Sequence, residues 1–161
     1  MAALTAFTNK RYALIKSAKF NVKVANAVTI YMGGFTAIAN VSFVTTARRG
    51  YAIPWENTAN IEWGGIAEPT IDITTTNTIV GDTSASPPDE VSCEGGELIL
   101  KGHAVTGAAA QSDIGRAVYG TNDNDLTITS NNTTRIGEID EWITSTTCHV
   151  RILGRSVWLA I

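Results

Sequence analysis

The sequence predicts a mainly β protein: a compact β-barrel or β-sandwich-like domain with one short helix and an extended N-terminal arm. Three observations predict it. Apolar and polar residues alternate with period two in many short segments, the pattern of half-buried strands. Paired residues suited to turns or bulges punctuate those segments: Gly33 and Gly34, Gly64 and Gly65, Gly95 and Gly96, Asn131 and Asn132. Helical patterning is scarce.

The elements follow in order. Residues 2–18 hold helix-forming alanines, but Thr5, Thr8 and Asn9 interrupt them, so residues 1–19 read as an arm ahead of a single domain over 20–161. Strands are expected at 11–16, 28–31, 36–39, 60–66, 70–75, 97–101 and 135–139. Residues 81–96 read as a polar loop stiffened by Pro87 and Pro88. The short helix is placed with Ser112 or Asp113 as its N-cap and Ile114 to Ala117 as its turn, Ile114 and Val118 plugging the core. Asn122 to Asp125 then reverse the chain into a strand with Leu126 and Ile128 on one face and Thr127 and Thr129 on the other. Cys148, Val150 and Ile152 alternate against His149, Arg151 and Leu153. Val157, Leu159 and Ile161 do the same against Trp158 and Ala160.

The chain has 161 residues, enough for one domain with a real core. Hydrophobic residues make up 44% and charged residues 17%, a share below the usual value of about 25% that threonine fills. The net charge is −3 and the basic residues form no stripe able to neutralise several phosphates, which argues against nucleic acid as a partner. No apolar run approaches the ~20 residues of a membrane helix. Asn9, Lys10 and Arg11 follow the first apolar residues, the reverse of a signal peptide, so synthesis in a cytoplasm and free, partly buried cysteines are expected.

Chemistry is sparse in the pattern. The soft metal ligands are His103, His149, Cys93 and Cys148, and none has zinc spacing. Cys148 and His149 are strand neighbours and point to opposite faces. The Asp and Asn alternation at 122–125 lacks the glycine and the bidentate glutamate of a calcium loop, so a hairpin turn is the better reading. His103 is expected near a strand end. Glu138 and Asp140 would share a face of a regular strand, a solvated edge rather than a catalytic pair. No nucleophile elbow or phosphate-binding glycine loop occurs. The reading is of a non-enzyme without cofactor or metal. Trp63 and Trp158 are assigned to core packing. Trp55, beside Pro54 and before a polar turn, is the candidate subunit-interface residue, with Pro54.

Taken in order, several phrases resemble the head decoration, or capsid cement, proteins of tailed bacteriophages. They are VANAVTIYMGGFTAIAN at 24–40, RRGYAIPW at 48–55, WGGIAEPTID at 63–72, GGELILKG at 95–102, SDIGRAVYGTNDNDLTIT at 112–129, RIGEIDEWIT at 135–144 and SVWLAI at 156–161. The resemblance implies a β-rich, often trimeric protein on the outer surface of the capsid. There it would bind the major capsid protein and stabilise the expanded head against internal DNA pressure. Ala2, Ala3, Leu4, Phe7, Lys10 and Arg11 are then the candidate capsid-binding residues, supplying apolar area and charge. The alternatives are a carbohydrate-binding module, suggested by the tryptophans, and another virion component such as a tail or spike protein.

Overall fold

A computed structural model describes residues 12–68, 78–86, 88–108 and 110–154 of the chain. The strands are β1 (Tyr12–Lys16), β2 (Lys19–Lys23), β3 (Thr29–Tyr31), β4 (Phe35–Ala39), β5 (Ala52–Pro54), β6 (Ile61–Ala67) and β7 (Thr78–Val80). They continue as β8 (Glu90–Glu94), β9 (Glu97–Thr106), β10 (Ala117–Gly120), β11 (Leu126–Thr127), β12 (Arg135–Thr144) and β13 (Thr147–Ile152). The mainly β expectation holds, and its barrel form is the one observed.

Five strands close a barrel in the order β9, β11, β10, β12, β13 and back to β9. All its pairs are antiparallel except β11 with β9, where Leu126 meets Val105 and Thr127 meets Thr106. Among the described strands β9 alone has three partners. β13 runs along one edge; β1 takes the first half of the other, from Lys16 opposite Glu97 to Tyr12 opposite Leu100, and β11 takes the rest. Inside lie Leu98, Leu100, Val105, Val118, Leu126, Ile136, Ile139, Cys148, Val150 and Ile152, each at most 3% exposed.

A second sheet runs β2, β8, β6, β4, β5, all antiparallel. It curls until Val24, just past β2, bridges Ala52 on β5. β3 and β7 form a two-stranded ribbon. The centre of the sheet needs small residues. The register between β4 and β6 slips at Thr36 and Ala37, and Gly65 takes φ +104° there, with Glu94 O only 2.6 Å from where a Cβ would sit. Gly64 and Gly65 thus form the expected bulge.

Several expectations give way. Within the span read as an arm, the strand expected at 11–16 forms as Tyr12–Lys16 and pairs with β9. The polar loop expected over 81–96 contains β8, whose Val91 and Cys93 are fully buried. The expected helix is a 3-10 turn, Gln111–Asp113, lying earlier in the chain. Asp113 does not cap forward; its carboxylate accepts from Ala110 N at 3.0 Å and from Arg116 Nη1 at 3.0 Å. The chain leaves the turn at Ile114, which is 46% exposed, so Val118 alone acts as the plug. His103 lies within β9, not at its end. β11 holds two residues, and its Thr127 is buried along with Leu126 and Ile128. The segments expected at 70–75 and 156–161 lie outside the described residues.

Candidate interaction surfaces

The groups with reactive chemistry are built into the architecture. Cys93 is buried, with Thr36 Oγ1 3.4 Å from its sulfur, and burial pushes its thiol up to about 11. Cys148 is buried and free, its thiol raised by burial and by the charge of Asp113. Its neighbour His149 faces the other way, accepts from Gly102 N at Nδ1 (3.0 Å), and sets Nε2 3.7 Å from Glu141. The His103 ring stacks at a tilt on Phe35, and its Nε2 lies 3.0 Å from Asn124 O. Among the described residues no three His, Cys, Asp or Glu side chains are grouped to hold a metal ion.

The Asp and Asn loop is a hairpin turn, as its composition predicts. Asn122 Oδ1 accepts from the backbone N of Asn124 (2.9 Å) and Asp125 (2.8 Å), and Thr121 N donates to Asp125 O (2.9 Å). These bonds join β10 to β11 and leave Asp123 O to accept from Phe35 N at 2.7 Å, docking the barrel on β4. On β12, Glu138 and Asp140 flank the buried Ile139. The register slips between Ile139 and Glu141, Glu138 bonds Arg135, and Asp140 sits exposed in the irregular stretch.

The candidate capsid-binding residues Ala2, Ala3, Leu4, Phe7, Lys10 and Arg11 lie outside the described residues. Trp55 does not stand at the surface. It is 1% exposed, meets Trp63 edge-on at 5.8 Å, and its indole lies where a Cβ on Gly120 would fall. Trp55 therefore joins the second sheet to the barrel within one chain, and a subunit contact through it would require opening the core. Pro54 is half-buried at the end of β5. Trp63 is buried as expected, and Trp158 lies outside the described residues.

Among the described residues, three surfaces offer apolar contact area. β1 is, among the described residues, the edge strand of the first sheet, with Leu14 48% and Ile15 50% exposed. Its corner with β2 is fixed by Glu94, fully buried, whose carboxylate accepts from Ala18 N (2.7 Å), Ser17 Oγ (2.7 Å) and Gly96 N (2.9 Å). The loop from β4 to β5 presents Val41 at 80% and Val44 at 81% exposure, on either side of the buried Phe43. An open groove of about 290 Å³ lies where β9 ends beside the β12–β13 hairpin tip. Composition alone does not reveal the valine loop; the available sign is an apolar–polar–apolar run, VSFV, closed by RRG. Among the described residues no helix is long and apolar enough to cross a membrane. Compared with protein-family models, curated proteins and solved structures, the chain matches none.

Proposed function

We propose that this chain is a structural virion protein of a tailed bacteriophage, made in the bacterial cytoplasm. In this reading a homotrimer binds the major capsid protein on the outer capsid surface and stabilises the expanded head against the pressure of packaged DNA. The observation that carries the reading is the ordered resemblance of its phrases to capsid decoration proteins. Those phrases correspond to successive elements: VTIYMGGFTAIA covers β3, the turn and β4, GGELILK opens β9, and AVYGTNDNDLT spans β10, the Asx turn and β11.

The geometry supplies a means of attachment. Among the described residues β1 is an edge strand with apolar side chains exposed, and a strand from a coat subunit can add to such an edge through backbone hydrogen bonds. The candidate contact residues Ala2 to Arg11 precede β1 directly in sequence. Several such contacts on one oligomer would raise the effective affinity by about 10²–10⁴. The carbohydrate-binding alternative draws no support from Trp55 and Trp63, which are buried and offer no face for a sugar.

The experiment mixes purified protein with expanded, undecorated capsids and measures bound copies per shell and shell stability. Full-length protein should saturate the shell and raise its resistance to heat. A variant lacking residues 1–11 should stay folded, since β1 is intact, and should lose binding. Full occupancy by that variant would remove Ala2 to Arg11 from the contact. Failure of the full chain to bind any such shell would sink the reading.

A further inference from the structure

We propose that the loop between β4 and β5 docks into the groove beside the β12–β13 hairpin of a second copy of this chain. This deepens the assembly proposed above and rests on it only in taking a second copy as partner; capsid binding is read out separately.

The loop is held in shape by its own bonds. Asn40 Oδ1 accepts from Ser42 N (2.9 Å), Phe43 N donates to Asn40 O (3.1 Å), and Arg49 Nε donates to Phe43 O (2.9 Å). Gly50 N returns the chain to Ala39 O at 2.7 Å. With Phe43 drawn into the core at 1% exposure, Val41 and Val44 stand out on either side of it. Valine has few rotamers to lose, and the backbone is already ordered, so burying this pair against a partner costs little entropy. Their exposures of 80% and 81% show that the two valine side chains do not pack on their own chain.

The groove offers a counterpart in shape and charge. Ala104, Val105, Thr106, Gly107, Ser145 and Thr146 line it. Along β12 from the groove come Ile143, 39% exposed, and the exposed carboxylates of Glu141 and Asp140. The valine loop carries the opposite sign: Arg48 and Arg49 stand at its base, and among the described residues neither is in an ion pair. Asp140 is also without an ion pair among those residues. Apolar tip to groove and arginine to carboxylate can therefore be satisfied together, a match that favours a second copy as the occupant. The loop belongs to the second sheet and the groove to the barrel, so a head-to-tail contact of this kind would close the ring of the oligomer proposed above. Stable contacts bury on the order of 1,200 Å² or more, so loop and groove anchor a wider interface.

Sedimentation equilibrium on the full chain tests this. The wild type should form a closed oligomer. Val41→Asp with Val44→Asp, at sites too exposed to affect folding, should raise the dissociation constant at least about tenfold. Arg48→Glu, which keeps the Arg49 bond to Phe43, should shift it in the same direction, and adding Asp140→Lys to that variant should restore the oligomer. The proposal is overturned if the wild type is monomeric at every concentration, if the valine variant assembles like the wild type, or if the charge swap restores nothing. A valine variant that stays oligomeric but no longer binds shells would make the coat protein the occupant, which also overturns it. If shells bind no variant and no wild type, the sedimentation result still decides this contact on its own.

Discussion

Glu94 is the least expected residue in the protein, a fully buried carboxylate at the junction of β1, β2, β8 and β9. Burial alone would raise its pKa. The hydrogen bonds from Ala18, Ser17 and Gly96, with the charge of Lys19, outweigh that and hold it below the ordinary carboxylate value. Glu94→Ala leaves two backbone N–H groups without acceptors and should lower the unfolding free energy by about 2–4 kcal/mol in urea melts. Because the folded pKa is depressed, the contribution is complete above the unfolded value and is lost as pH falls through the folded one. Wild-type stability should therefore drop more steeply than that of Glu94→Gln between about pH 6 and about pH 3. Equal slopes would show that Glu94 is not the group titrating. Cys93 makes a second residue-scale prediction. With its thiol at about 11 and its side chain buried, it should resist a thiol reagent at neutral pH until the protein unfolds, as should Cys148.

Among the elements, β9 shows what pattern reading can and cannot see. Leu98 and Leu100 alternate inward, then the parity changes and Val105 faces the same core. The change occurs at Gly102, whose φ of +59° makes a bulge across from His149. A period-two template stops at Lys101 for this reason, although the strand continues to Thr106. β13, with its unbroken alternation, is legible from sequence: 148–153 reads as a strand and Thr147–Ile152 forms one. β8 is not, because Glu90 and Glu94 at its ends look like loop residues, and only the donors across the sheet explain why one of them is buried. The valine loop is equally hidden, since the exposure of Val41 and Val44 depends on Phe43 turning inward. A Cβ on Gly102 would meet nothing within 4 Å, so Gly102→Ala tests backbone strain alone. It should cost about 1–2 kcal/mol in a urea titration. Extending the N-terminal deletion from residue 11 through Lys16 removes β1, unpairs the first half of β9, and should lower the unfolding midpoint where the shorter deletion does not.

At the scale of the molecule, barrel and second sheet share an aromatic seam. Trp55 meets Trp63, Trp63 meets Phe35 at 5.8 Å, and Phe35 meets His103 of β9 at 5.7 Å. Asn132 N adds a bond to Asn57 Oδ1 across the same junction. The two halves should therefore unfold as one. Tryptophan emission and far-ultraviolet circular dichroism should give coincident transitions, and two separate steps would contradict a shared core. Phe35→Ala, which empties the middle of the seam, should cost about 3–5 kcal/mol and lower both signals together.

The pairing of β1 with β9 also sets how the protein would carry a load. A pull on the chain ahead of Tyr12, directed along the strand, would strain the whole row of bonds from Tyr12–Leu100 to Lys16–Glu97 in parallel. The same pull directed away from the sheet would break them one after another, beginning at Tyr12. Glu94, clamped to Ser17 and Ala18 just beyond, stands as the stop at the end of that row. A tether attached ahead of β1 would thus be tough against sliding and weak against peeling, so its mechanical strength would depend on direction.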